Sequence, residues 1–311
     1  MSARLVLAAL AASWATALAG MVTSPAAAQV KYSLPPLPDV QFAQIPAVSR
    51  ANYLGDRFSY LEAGRPDAPV VLLLHGVGAN AQHWRFQLAG LSDRYRVIAW
   101  NAPGYFLTDG FVKDNPGCTD YAEAVVDFLA ALKVERVNLV GNSFGSRVAQ
   151  CFAAHHPDRV IKLAMTGTGV GPKDMSPEQK ATIIATRRAQ IEGGGYNFGA
   201  RIAALVGPTA SPGLIAEQQR MMRAVQPRGF MQGVGLGLVN GYSPAEVGPK
   251  LTMPVLLIQG AADEVNPGDT NAAVLIKVLK NGRLEWFKDL GHLPEFEAPE
   301  AVNKMLRDFF G

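Results

Sequence analysis

The sequence predicts an α/β fold, with a mostly parallel central sheet, helices on both faces and a helical insertion. Three observations carry that expectation. Short, wholly apolar runs such as Val70–Leu74 read as strands buried on both faces. Between them lie stretches with apolar residues at helical spacing, as in Tyr121–Leu132, where Ala122, Val125, Val126, Leu129 and Leu132 share a face. The two patterns alternate along most of the chain, as parallel β-α-β units require.

Composition agrees with a large packed domain. The chain has 311 residues, of which 49% are hydrophobic and 18% charged, enough apolar surface for a sizeable core. A net charge of +3, spread along the sequence, lacks the concentrated basic surface of a nucleic-acid binder. Two cysteines, Cys118 and Cys151, make neither a C-x-x-C site nor a disulfide framework. A single bond between them is permitted outside the cytosol, and the sequence leaves it open.

The first residues read as targeting. Arg4 precedes an apolar run, Leu5–Leu18, broken only by Ser13 and Thr16, and small residues follow up to Ala26 and Ala28. This is the pattern of a secretory signal peptide, residues 1–28, cut after Ala28. The mature protein then begins at Gln29, is secreted or periplasmic, and keeps no stable membrane anchor. The alternative, an uncleaved anchor, is disfavoured because the run is shorter than the ~20 apolar residues of a span.

In the mature chain, the prolines of residues 29–46 predict an extended arm. Arg57–Glu62 predicts a strand, paired in a hairpin with the stretch before Gly55-Asp56. Strands are then expected at Val70–Leu74, Arg96–Trp100, Val137–Val140, Val160–Met165, Val255–Ile258 and Leu284–Phe287. Helices are expected at Ala81–Leu91, Tyr121–Leu132, Phe144–His155, Asp269–Leu279 and Pro299–Phe310. Residues 171–250 break the alternation with Gly, Pro, Met and Gln, and hold helical patches near Pro177–Gln190 and Leu214–Val225. They predict a helical lid between a first core part, 29–170, and a second, 251–311.

Gly141-Asn142-Ser143-Phe144-Gly145 matches G-x-S-x-G at a strand–turn–helix junction, where a serine is held on a sharp turn above the sheet edge. A serine hydroxyl needs a base to become a nucleophile, and the base needs an orienting partner. Among five histidines, His155 and His156 end a helix, His83 falls in a helix expected to face solvent, and His75 follows a buried strand and shapes its loop. His292, beyond the Leu284–Phe287 strand, is the expected base. Asp263, just past Val255–Ile258, is the expected partner, with Glu264 and Asp269 as competitors. The backbone N–H groups of Val77 and Phe144 are the expected oxyanion donors. Phe106, Met221, Met222, Phe230 and Met231 are candidates for an apolar substrate pocket. No H-E-x-x-H motif or dinucleotide fingerprint is present, and no metal or organic cofactor is expected.

Together these marks resemble the α/β-hydrolase superfamily over roughly residues 50–311: His75-Gly76, Pro103-Gly104, Gly141–Gly145, Asp263, and Gly291-His292 with Pro299-Glu300. The resemblance extends to lid-bearing esterases, enol-lactonases, cofactor-free haloperoxidases and C–C hydrolases of ring-fission products. Gly-Asn-Ser is a form of the elbow often seen in the C–C hydrolases, but those usually carry tryptophan after the catalytic histidine, where this chain has Leu293. The family's D-x-P-G-x-G-x-S loop departs at Asn101–Thr108, with Phe106 in place of a small glycine; Phe106 either narrows the pocket mouth or packs under the lid. A serine nucleophile sets the chain apart from the dehalogenases and epoxide hydrolases of this fold, which use aspartate. The resemblance implies a Ser-His-Asp serine hydrolase of a small-molecule ester or lactone. The alternatives are a C–C hydrolase or a haloperoxidase/perhydrolase, and, last, a non-catalytic small-molecule binder.

Overall fold

Side chains along Val70–Leu74 alternate between two separate cores. Leu72 and Leu74 join one hydrophobic cluster, and Val71 and Leu73 join the other. That is the period of two of a strand, with both faces covered. The computed structural model in which this is seen describes residues 34–171, 175–192 and 202–311. The expected signal peptide, residues 1–28, lies outside the described residues.

Eight strands form one sheet. They are β1 (Gln41–Gln44), β2 (Arg57–Ala63), β3 (Val70–Leu74), β4 (Arg96–Trp100), β5 (Val137–Asn142), β6 (Val160–Thr166), β7 (Val255–Gly260) and β8 (Gly282–Phe287). Their order is β1-β2-β4-β3-β5-β6-β7-β8. β2 runs antiparallel to both its neighbours, and β3 to β8 are parallel. The expected pairing of the Arg57–Glu62 strand with the preceding segment is present, as Gln41↔Tyr60 to Gln44↔Arg57. Part of the expected extended arm is therefore the edge strand β1.

Helices cover the two faces. On one face lie α1 (Arg85–Leu91) and the C-terminal helix Pro299–Phe310, which inserts Val302, Leu306 and Phe310, one turn apart. On the other lie α2 (Cys118–Ala131), through Tyr121, Val125, Phe128 and Leu129, and α3 (Phe144–His155), through Val148 and Phe152. A disulfide between Cys118 and Cys151 joins these two helices, with 5.3 Å between Cα atoms. Between β6 and β7 the chain departs from the sheet into α4 (Pro177–Glu192), α5 (Pro212–Met222), α6 (Pro227–Gly235) and the short α7 (Pro244–Val247). The order closes with α8 (Ala272–Leu275), α9 (Pro294–Glu297) and α10 (Pro299–Phe310). Among the described residues no helix is long and apolar enough to cross a membrane.

Two expected helices differ. The one expected over Ala81–Leu91 starts as a 3₁₀ turn, Ala81–Trp84, capped where Asn80 Oδ1 accepts the Gln82 N–H at 3.0 Å. The one expected over Asp269–Leu279 shrinks to α8 and a 3₁₀ turn, Ile276–Val278. There Asn271 Nδ2 donates back to the Pro267 carbonyl at 2.9 Å, a local bond that competes with helix formation. Loops from the carboxyl ends of β3, β5, β7 and β8 converge above the sheet. Such an edge is where open parallel sheets bind ligands.

Candidate active site

β5 ends at Asn142 and α3 begins at Phe144, leaving Ser143 alone in the turn at φ 54° and ψ −113°. A positive φ is costly for a residue with a Cβ, and here the surrounding packing imposes it. Gly145 permits the turn, because a Cβ there would stand 2.0 Å from the Leu74 carbonyl oxygen. Gly76 lets the β3 loop approach, since its Cβ would lie 2.7 Å from Asn142 Oδ1. The Phe144 ring stacks on Tyr105 and meets Tyr121 edge-on, which locks the start of α3.

His292 is 2% exposed, and its Nδ1 lies 2.8 Å from Asp263 Oδ2. Asp263 Oδ1 accepts the N–H groups of Val265 and Asn266, each at 2.8 Å, and Gln259 Nε2 donates to Oδ2 at 3.0 Å. Burial alone would raise the Asp263 pKa. The His292 hydrogen bond and charge, with the Asn266 and Gln259 donors, outweigh it and hold the carboxyl below its ordinary value. An ionised Asp263 accepts the Nδ1 proton and leaves Nε2 as the basic nitrogen of the ring. Glu264 and Asp269, the competing acids, are exposed.

Ser143 and His292 line one cavity, with Gly76, Val77 and Asn142 among its other walls. Among the described residues, neither the Ser143 hydroxyl nor His292 Nε2 has a hydrogen-bond partner, and the Val77 and Phe144 N–H groups donate to nothing. The arrangement thus offers a hydroxyl, an oriented imidazole and two unspent backbone donors around one small space. Among the described residues no cluster of three or more His, Cys, Asp or Glu side chains is placed to hold a metal.

The expected substrate-pocket residues divide. Met222 lines the Ser143 cavity. Met221 is buried and does not line it, and Phe230 is buried in a cluster with Ile191, Ile202, Met222 and Val225. Met231 lines a separate cleft of about 800 Å³ between α4 and α6. Phe106 is half-buried at φ 50°, and its carbonyl accepts a bond from Gln226 of the insertion. Phe106 is not among the residues that line the Ser143 cavity.

The sequence assigns no role to Asn142, Gln218 or Glu295, and it misplaces His83. Asn142 Nδ2 donates to the His292 carbonyl at 3.2 Å and so ties the base to the elbow. His83, expected to face solvent, is 1% exposed and lines the cavity. The α5 helix and Phe296, stacked on the His83 ring, cover it. Its Nε2 lies 2.5 Å from Glu295 Oε1, and Gln218 lies on its other side. Only a histidine directly before a tryptophan hinted at burial in the sequence. His75 is as expected, with Nδ1 2.8 Å from the Gly76 carbonyl and Nε2 accepting the Ala102 N–H at 3.1 Å.

The family model described as the alpha/beta hydrolase fold matches residues 69–299. In sequence, the chain is 29% identical over 248 residues to a 2-hydroxy-6-oxononadienedioate/2-hydroxy-6-oxononatrienedioate hydrolase of Dechloromonas aromatica, covering 77% of this chain and 86% of that one. In structure it resembles a thermophilic esterase from Thermogutta terrifontis at a TM-score of 0.75 and 23% identity, covering 88% of this chain and 98% of that one. It also resembles the enol-lactonase of Burkholderia xenovorans LB400 at 0.71 and 21%, covering 82% and 96%. At these identities the structural likeness speaks to the fold alone.

Proposed function

The chain belongs to the alpha/beta hydrolase family, and on that footing we propose that it hydrolyses a carboxylic ester or lactone through an acyl-enzyme on Ser143. One observation carries this reading: the strained serine faces the same cavity as an imidazole held by a buried, ionised carboxylate. Ser143 Oγ attacks the substrate carbonyl while His292 Nε2 takes its proton, and Asp263 stabilises the imidazolium that results. The C–O bond to the leaving alcohol breaks as His292 returns the proton to it. A water, deprotonated by the same nitrogen, then releases the acid and restores Ser143. The Val77 and Phe144 N–H groups hold the oxyanion in both steps.

The cavity contains about 40 Å³ of space open to water, far below the roughly 300–1,000 Å³ of an ordinary ligand site. Leu205, Gln218 and Met222 of the insertion roof it. Substrate therefore enters where the Leu205 segment of the insertion shifts, while α5 stays tied to the core through the Arg85–Glu217 ion pair.

A C–C hydrolase is the second reading, favoured by the sequence likeness to the dienedioate hydrolase. Such a dicarboxylate needs cationic partners, and among the described residues no Lys or Arg lines the cavity. That favours an uncharged ester or lactone. The Cys118–Cys151 disulfide supports export to an oxidising compartment.

The test is hydrolysis of p-nitrophenyl esters, from acetate upward, by the chain beginning at Gln29. Ester turnover that falls at least about 10³-fold in Ser143→Ala supports the reading. Turnover that survives the substitution overturns it, and cleavage of a ring-fission dienone without any ester turnover moves the assignment to C–C hydrolysis.

A further inference from the structure

The Ser143 cavity has a second carboxylate–imidazole pair that the hydrolytic steps do not use. His83 and Glu295 are buried, and their Nε2 and Oε1 atoms are 2.5 Å apart. The second oxygen of Glu295 has no hydrogen-bond partner. On the other side of the ring, Gln218 Nε2 lies 3.3 Å from His83 Nδ1. His83 and Gln218 both line the cavity, whose other side chains outside the hydrolytic set are mostly apolar: Val77, Ala79, Leu205, Met222, Val265 and Leu293.

The proton positions along this chain follow from its end. In the neutral ring, Nε2–H donates to the Glu295 carboxylate and Nδ1 is left as an acceptor. Gln218 must then meet Nδ1 with its NH₂ group. With Nε2 placed 3.3 Å from His83 Nδ1, the amide turns Oε1 the other way. Among the described residues Gln218 Oε1 accepts no hydrogen bond. Gln218 is itself firmly placed. Its helix is tied to the core by the Arg85–Glu217 ion pair at 3.3 Å, by Asn80 Nδ2 to the Met221 carbonyl at 3.5 Å, and by Arg220 to Gln82 at 2.8 Å.

We propose that Glu295 and His83 are positioning residues that hold the Gln218 side-chain carbonyl as a fixed acceptor in the cavity. Gln218 thereby selects substrates with a hydroxyl group close to the scissile carbonyl, as in a hydroxyacyl ester. A hydroxyl is the matching chemistry because it donates to Oε1 without bringing a charge into a cavity that has no cation lining it among the described residues. A site built around a substrate hydroxyl rejects the analogue lacking it, since the acceptor is then buried without a partner. This inference rests on the acyl-enzyme reading for its kinetic form, but the binding preference stands without it.

The experiment compares phenyl butyrate with phenyl 2-hydroxybutyrate and phenyl 3-hydroxybutyrate. In the wild type, kcat/KM for one hydroxy ester, corrected for its spontaneous hydrolysis, exceeds that for the butyrate by about tenfold or more. In Gln218→Met, which keeps the size and removes the acceptor, the ratio falls to about threefold or less. His83→Phe, which keeps a ring on Phe296, lowers the ratio in the same sense. A merely structural role for the relay would slow all three esters together and leave the ratio alone. The same esters are then bound, uncleaved, to Ser143→Ala with and without Gln218→Met, and their affinities compared by calorimetry. Absence of ester turnover in the wild type overturns the acyl-enzyme reading, while a hydroxy-ester affinity preference lost with Gln218 still upholds this one. Equal affinities in Ser143→Ala, or a preference that survives Gln218→Met, overturns it.

Discussion

Asp263 holds His292 with one carboxylate oxygen, at 2.8 Å, while its other oxygen is held by two backbone N–H groups of its own loop. The acid is therefore fixed before it meets the imidazole, and in the proposed mechanism it keeps the ring proton on Nδ1. Asp263→Asn presents an amide that can reverse the tautomer, and kcat/KM for an ester falls on the order of 10³–10⁴-fold. Glu264→Gln and Asp269→Asn change it by less than about twofold, because both side chains are exposed. Steady-state kinetics on the three variants checks the assignment, and a Asp263→Asn enzyme with more than a tenth of wild-type activity would overturn it.

Ser143 stores backbone strain at φ 54°. Glycine adopts that region without a Cβ penalty, whereas alanine retains the penalty. Both substitutions abolish turnover, and Ser143→Gly is more stable than Ser143→Ala by about 1 kcal/mol. Urea unfolding of the pair measures the difference, and equal midpoints would show that the elbow carries no strain.

The disulfide closes a loop across 33 residues between two helices that cover one face of the sheet. Chain-entropy arguments give such a closure about 3–4 kcal/mol. Cys118→Ala with Cys151→Ala lowers the unfolding free energy by that order. Dithiothreitol destabilises the wild type similarly and leaves the double variant unchanged.

His75 satisfies both ring nitrogens only when neutral, since Nδ1–H donates to the Gly76 carbonyl and Nε2 accepts from Ala102. Burial pushes its pKa down from 6.5 to about 3. With the folded value depressed, the unfolded chain takes up the proton first as pH falls. The stability that His75 supports is complete above about pH 6.5 and is lost progressively toward pH 3. The urea midpoint of the wild type therefore drops across that interval. In His75→Gln, which cannot gain a charge there, stability at pH 7 is lower and the drop is shallower.

Much of this was legible in the sequence because it is local. The elbow reads from five residues, Gly141 to Gly145, since a strand, a sharp turn and a helix must follow one another there. Asp263 and His292 read from their places just past strand-like runs, since parallel strands deliver their loops to one edge. The Asp269–Leu279 helix was misread because Asn271 offers its backbone a local alternative that apolar spacing does not reveal. The methionine pocket was legible only as composition, and whether Met222 or Met231 faces Ser143 depends on how the insertion helices dock.

By itself, then, the sequence determined the alternation of buried strands and helices, the sharp turn that carries Ser143 and the chain order of Ser143, Asp263 and His292, each read from short-range pattern. Tertiary structure alone decided which distant side chains share the cavity. His83 and Glu295 are 212 residues apart in the chain, yet their 2.5 Å contact turns an expected surface histidine into a buried one. Burying an imidazole and a carboxylate is tolerable only when each meets the other, and that partnership exists only once the sheet has brought both ends of the chain together.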